Sequence, residues 1–493
     1  MIRRDFIRNT ALFGAGMALP WSVRQSFAAS LNSELTALTA TDLSKAIAQK
    51  HASCVEVMEA YLARIHRYNP TYNAIVSLVD DDELTRQARL ADDELARGQY
   101  RGWMHGMPHA AKDLTPVAGL PYTSGSPMFA GRISDSDSNL VARIRSAGAI
   151  FIGKTNTPEF GLGSQSYNTV FGATGSAYNP NLTSGGSSGG AASGLGTQML
   201  PVADGSDMMG SLRNPGAFNN VIGYRPSTDV MSNSNASNRG LSTSGPMGRN
   251  TADTIQLLKT IAVKALPGEF LAADLGQTRI GWLGNLNGYF AMEDGVLELC
   301  ESSLNFVVDA GAKVEQVTPQ FAMGDLWECW TTLRHSVRSG MLRYYNDPKI
   351  RTMLKPEMIW EIEQSLVLTD DDRASANVIR QNWYRELDRM FGEFDFLALP
   401  TAQVFPYPKI QHWPTEINGK QMDTYHRWME IVILGSLGGL PIVNVPVGFD
   451  EQGRPMGMQI MGHFGADKKV LEFALAYEKI TDYLQRPPNL IPA

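Results

Sequence analysis

Two serines framed by glycines, Ser187 and Ser211, lie in the stretch Gly185 to Pro226, which reads GGSSGGAASGLGTQMLPVADGSDMMGSLRNPGAFNNVIGYRP. A serine hydroxyl becomes a nucleophile only when a neighbouring base takes its proton. Glycines on either side allow sharp turns and close backbone approach, which suits a loop whose N–H groups point at a developing negative charge. None of the eight histidines falls in a triad motif. His51 and His66 lie on helical segments, His105 and His109 flank a turn, and His412 sits in a proline-rich loop, so each reads as surface or structural. Lys112 offers another base. It ends the small apolar run GMPHAAK and precedes the glycine- and proline-rich DLTPVAGLPYTSGSP, a setting in which a lysine would be buried. A free lysine titrates near about 10.4, so only roughly one in a few thousand is neutral at pH 7. Burial disfavours the ammonium, and lowering the pKa by about three units corresponds to roughly 4 kcal/mol.

These residues need elements to hold them. A flexible linker would not be followed at once by AASGLGTQ, which can form a small-faced helix, and LPVAD, which reads as a buried strand. Gly185-Gly186-Ser187-Ser188-Gly189 also satisfies G-x-S-x-G, but a nucleophile elbow needs a hydrophobic strand running into it. The preceding AYNPNLTSG is a turn sequence with Pro180. Strands are expected near 74–79, 150–153, 200–203, 279–283, 313–317, 396–400, 442–447 and 456–461, alternating with helices. One helix starts at the capping box Ser53-Cys54-Val55-Glu56 and is expected to end before Asn69-Pro70. The pattern is α/β: a mixed central β-sheet covered by helices on both faces. Residues 431–449 are long enough to cross a bilayer, but Pro441, Asn444 and Pro446 interrupt them, and they read as a helix end followed by a core strand near Ile442.

Lys112, Ser187 and Ser211, spaced by 75 and 24 residues, match residue by residue the lysine, bridging serine and nucleophilic serine of the amidase signature family, which the chain resembles. The resemblance extends over GKTNTPEFG at 153–161, FGATGSAYNP at 171–180, FDFLALPTA at 394–402 and LGGLPIVNVPVGFDEQGRPMGMQIMG at 437–462. It implies a signature core at about 105–230 and a variable, substrate-shaping region at about 230–390. It further implies that neutral Lys112 draws a proton from Ser187, which draws one from Ser211, so that an amide is cleaved through an acyl-serine. By the same resemblance, backbone N–H groups of Met208, Met209, Gly210 and Ser211 hold the oxyanion, Gly161 belongs to the same substrate-binding wall, and a cis peptide precedes Ser187. Ser188, Asp207 and Arg213 are expected to support the site. Asp207 and Arg213 either orient the oxyanion backbone or form an ordinary buried ion pair. The family usually carries glycine where this chain has Met209. Methionine is strained there if the backbone needs positive φ, and otherwise lines the acyl pocket. Trp282, Trp327, Trp330, Trp360 and Trp383 are candidates for pocket wall or core.

The net charge of −7 is spread without a basic block, which argues against nucleic acid and anionic membranes as partners. Cys54, Cys300 and Cys329 show no metal or disulfide spacing, and no metal or cofactor is expected. Arg3-Arg4-Asp5-Phe6-Ile7-Arg8, the apolar NTALFGAGMALP and a small-residue site at Ser26-Phe27-Ala28 resemble a twin-arginine export signal. The expectation is a signal peptide at 1–28, an amidase domain at 29–493, a periplasmic or secreted location, a small-molecule amide substrate and no membrane anchoring; a homodimer is compatible with the resemblance. Two other functions stand beside this one. An amidotransferase subunit that works with partners on charged tRNA is disfavoured by the export signal and the lack of a basic surface. A non-catalytic exported binding protein is disfavoured by the presence of all three residues.

Overall fold

The computed structural model describes residues 34–493, so the expected export segment 1–28 lies outside the described residues. Eight strands form one mixed sheet in the order Lys313–Gln316, Arg279–Trp282, Phe396–Pro400, Pro455–Gly462, Ile442–Phe449, Ile222–Arg225, Thr243–Gly248, Val202–Asp207. The first three run parallel and the rest pair antiparallel. Ile442–Phe449 and Pro455–Gly462 are buried on both faces along nearly their whole length, which is why they read as continuous apolar runs. The outermost strand, Lys313–Gln316, is polar and largely exposed, as suits an edge. Helices cover both sides. One apolar core gathers the helices Ala40–Ala48, Cys54–Tyr72 and Thr251–Ile261, and the other gathers Val296–Asp309, Met323–Ser336, Asp370–Glu393 and Asp467–Ile480.

Several sequence expectations change. The region expected as one strand at 74–79 is regular strand only over Ile75–Val76, because Ser77 turns the backbone with φ +50. It joins Ile150–Thr155 and Pro108–Lys112 in a separate three-stranded sheet. Strands Ile222–Arg225 and Thr243–Gly248 were not expected. The second carries Gly245, Pro246 and Gly248, whose local preference against strand is overridden by pairing on both sides. The helix from Cys54 runs through Pro70 to Tyr72 rather than stopping before Asn69. A proline in the last turn removes a single intrahelical bond. Asn69 then closes the end, accepting from the N–H groups of Ala74 and Ile75 at 2.9 and 2.8 Å. His109 lies inside a buried strand rather than beside a turn. Residues 427–437 are a short helical stretch leading to the strand at Ile442, and among the described residues no helix is long and apolar enough to cross a membrane.

The two sheets meet edge to edge. Val202–Asp207 packs beside Pro108–Lys112 without a backbone ladder, and the Asp204 carboxylate spans the gap. One oxygen lies 3.0 Å from His109 Nε2 and the other 3.5 Å from the Lys112 amide nitrogen. Lys112, the last residue of its strand, is thereby set against the edge of the large sheet.

Candidate active site

Lys112 ends its strand with the side chain buried, 1% exposed, between the sheets. Its Nζ lies 2.8 Å from Ser187 Oγ, 2.8 Å from Ser188 Oγ and 3.2 Å from Ser206 Oγ. Ser187 follows a cis peptide from Gly186, and Ser188 sits at the N-terminus of the small-residue helix Gly189–Gly196. Burial lowers the Lys112 pKa to about 7, against the opposing pull of Asp204 and Asp207. A neutral amine has two N–H bonds and one lone pair. Surrounded by three hydroxyls, it can donate to two and accept from the third. Ser206 was not singled out in the sequence. The alternation of VADGSD places Asp204 and Ser206 on one face of their strand, the face toward Lys112, and that period of two was the available signal.

Ser211 stands on a turn that Asp207 organises. The carboxylate accepts the N–H groups of Gly210 at 3.0 Å and Leu212 at 3.1 Å, and meets Arg213 in a two-pronged contact at 2.9 and 3.1 Å. Arg225 approaches the same carboxylate at 3.3 Å. Burial would raise the Asp207 pKa, but Arg213 and Arg225 outweigh it and hold the group well below the usual carboxylate range. Arg213 also donates to Val432 O, Gln459 Oε1 and Ser436 Oγ, so every guanidinium edge is used to tie the turn to the helical stretch 427–437 and the strand Pro455–Gly462. The resemblance put the Gly210 amide in the oxyanion set. It is instead spent on Asp207, because Gly210 takes the left-handed conformation, φ +77, that tightens the turn. Among the described residues the N–H groups of Met208, Met209 and Ser211 have no acceptor. Met209 does not adopt positive φ. Its side chain is buried and lines the cavity, the second of the two alternatives for that position.

Ser187, Ser206 and Ser211 open onto one cavity of about 240 Å³. Gly161, Met208 and Met209 also line it. A side chain at Gly161 would come within 2.8 Å of Leu114 Cδ1 and 3.5 Å of Ser187 Oγ, so glycine leaves the space in front of the bridging serine clear. Ser188, Asp207 and Arg213 stand behind the wall as buried supports. None of the five candidate tryptophans lines the cavity: Trp282, Trp327, Trp330 and Trp383 are buried in the core and Trp360 is half-buried. Arg334, Arg338 and His426 line the cavity as well, and the sequence reading did not single them out. Among the described residues no group of three or more His, Cys, Asp or Glu is placed to hold a metal ion, and the three cysteines are free and buried.

Comparison with known proteins places these features in context. A family model described as Amidase matches residues 56–471. An acylamidase from Rhodococcus erythropolis is 29% identical over 468 residues, covering 92% of this chain and 97% of that protein. A Glutamyl-tRNA(Gln) amidotransferase subunit from Thermosynechococcus vestitus is also 29% identical, covering 91% of this chain and 99% of its own length. Among solved structures, a bacterial aryl acylamidase of the amidase signature enzymes superposes with a TM-score of 0.83 at 24% identity, covering 92% of this chain and 99% of that one, which establishes the likeness of fold.

Proposed function

Because the chain belongs to the Amidase family, we propose that it hydrolyses a carboxylic amide C–N bond through an acyl-Ser211 intermediate and releases ammonia or an amine. The observation that carries this reading is the 2.8 Å contact between Lys112 Nζ and Ser187 Oγ in a cavity that also contains Ser211. Neutral Lys112 accepts the Ser187 proton while Ser187 accepts the Ser211 proton, and the Ser211 oxygen adds to the amide carbon. The N–H groups of Met208, Met209 and Ser211 receive the negative charge that forms on the carbonyl oxygen. Collapse breaks the C–N bond, and the relay, now running in reverse, protonates the departing nitrogen. Water then adds to the acyl carbon by the same relay, giving the acid and restoring Ser211.

The acylamidase relative supports amide hydrolysis as the net reaction. The second reading, that of an amidotransferase component, draws on relatives such as the Thermosynechococcus vestitus protein, and it predicts that turnover needs added partner proteins. We also propose that residues 1–28 direct export and that 29–493 form the enzyme domain. The test is release of ammonia or amine from a panel of aliphatic, aryl and peptide amides by the protein alone, beside its Ser211→Ala variant. Release that disappears in the variant supports the acyl-serine reading. Release by the wild type that survives in Ser211→Ala overturns it, and no release from any amide by the folded wild type would favour the partner-dependent or the binding-protein reading.

A further inference from the structure

Arg334, Arg338 and His426 give the cavity a cationic wall whose charge the proposed hydrolysis does not use. Arg334 and Arg338 both line the cavity, and their Nε atoms both donate to the one buried carboxylate of Glu361. Burial would raise the Glu361 pKa, but the two arginines outweigh it and keep the group ionised. Two guanidinium groups against one carboxylate leave this wall with one excess positive charge. No Asp or Glu is among the residues that line the cavity, so nothing on its surface offsets that charge. A buried or half-buried cation without a counter-ion is unfavourable unless an anion arrives to pair with it.

The unused donors point the same way. Arg338 makes no side-chain bond other than the one to Glu361 among the described residues, and its side chain lines the cavity at 16% exposure. Arg334 gives one Nη to Tyr425 Oη at 2.6 Å, while the other reaches only the thioether of Met208 at 3.7 Å, a weak acceptor on the oxyanion side of the cavity. His426 is 1% exposed, lines the same wall and has no partner on either ring nitrogen among the described residues. Trp327, Tyr425 and Trp360 hold its ring in place, with centroids 5.0, 4.6 and 6.1 Å away. An imidazole held between three rings, with neither nitrogen taken by the described residues, can hydrogen-bond a polar group in the cavity.

Resting on the amidase reading above, we propose that the substrate is an amide bearing a carboxylate, which pairs with Arg338 and the free edge of Arg334 beside His426 while its amide carbon meets Ser211. A planar carboxylate fits the guanidinium fork with two hydrogen bonds, whereas a neutral amide placed there would leave the excess charge unpaired. The carboxylate can belong to the acyl part, as in a dicarboxylic acid monoamide, or to the amine part, as in an N-acylated amino acid or aminobenzoate. The shared chemistry is the anion, and the assay separates its two sources.

The experiment compares kcat/KM within two matched pairs on the full chain: glutaramate against glutaramide, and 4-acetamidobenzoate against 4-methylacetanilide. The carboxylate member of at least one pair should be favoured by about tenfold or more, and the pair that shows it identifies which part carries the anion. Arg338→Gln should lower that carboxylate-to-neutral ratio by about tenfold, and Arg338→Lys, which keeps the charge, should retain part of it. Equal rates within both pairs, or an unchanged ratio in Arg338→Gln, would overturn the proposal. If no amide is turned over, the hydrolase reading fails separately, and calorimetric titration with glutarate decides the anion site. Saturable binding that Arg338→Gln weakens sustains the site, and absence of binding to the wild type overturns it.

Discussion

Ser206 Oγ lies 3.2 Å from Lys112 Nζ, a contact made between the edge strands of two different sheets. It completes a ring of three hydroxyls around a buried amine, and it comes from a strand 94 residues along the chain from Lys112. The base of the proposed relay is therefore a product of sheet packing as much as of the serine-rich segment.

The pH dependence of kcat/KM should show an acid limb centred near about 7, because burial lowers Lys112 to that value and only the neutral amine can accept a proton. Activity rises as pH rises through the limb and then levels. Lys112→Arg keeps the charge but never deprotonates, so kcat/KM should fall by about a hundredfold or more at every accessible pH. Ser206→Ala removes one acceptor for the ammonium form and should move the limb to lower pH by about half a unit to one unit. A limb that stays in place in Ser206→Ala would mean that this hydroxyl does not set the amine's basicity.

Stability should carry the same signature with a defined sign. Between about pH 7 and 10.5 the unfolded lysine holds a proton that the folded one lacks, so the protein gains stability as pH rises through that window. Below about 7 both states hold the proton and the cost of burying it is constant, of the order of 5 kcal/mol. Lys112→Met should therefore raise the melting temperature most at pH 6 and progressively less toward pH 10. Thermal melts of both proteins across that range check it, and a gain that grows with pH would contradict it.

Asp207 and Arg213 are both fully buried and bonded twice to each other. Arg213→Ala strands the carboxylate against a single remaining cation, Arg225, and removes the ties to Val432, Ser436 and Gln459. The expected loss is about 3 to 5 kcal/mol by urea unfolding. Because Asp207 also fixes the Gly210 and Leu212 amides, residual folded protein should show reduced kcat rather than a raised KM alone.

Met209→Gly tests the pocket wall. Its backbone is unstrained, so glycine relieves nothing and leaves space beside Ser211. The expected result is a shift of preference toward bulkier acyl groups over a graded series, with activity kept and stability lowered by about 2 to 5 kcal/mol. An unchanged acyl profile would show that Met209 does not shape selectivity.

Much of this was legible before folding. Long apolar runs at 442–447 and 456–461 announced the central strands, because burial on both faces erases alternation. The weak strands were not legible: Thr243–Gly248 is assembled from breaker residues and is held only by its neighbours. Pro70 misled for the opposite reason, since a strong local signal was overruled by the Asn69 cap.

Sequence alone determined which groups could react. A lysine at the end of a small apolar run, two serines framed by glycine and their order along the chain restrict the chemistry through residue type, and residue type needs no coordinates. Only the tertiary structure decided how those groups are placed and what surrounds them. The apposition of two sheet edges buries Lys112 and supplies Ser206, Asp207 rather than the oxyanion takes the Gly210 amide, and Arg334 on the helix 323–336 and Arg338 just beyond its end meet Glu361 of the helix 356–367 beside the cavity. The first of these joins residues 94 apart in the chain and the last joins residues 27 and 23 apart, and a pKa or a net wall charge is a property of such contacts and not of any segment by itself.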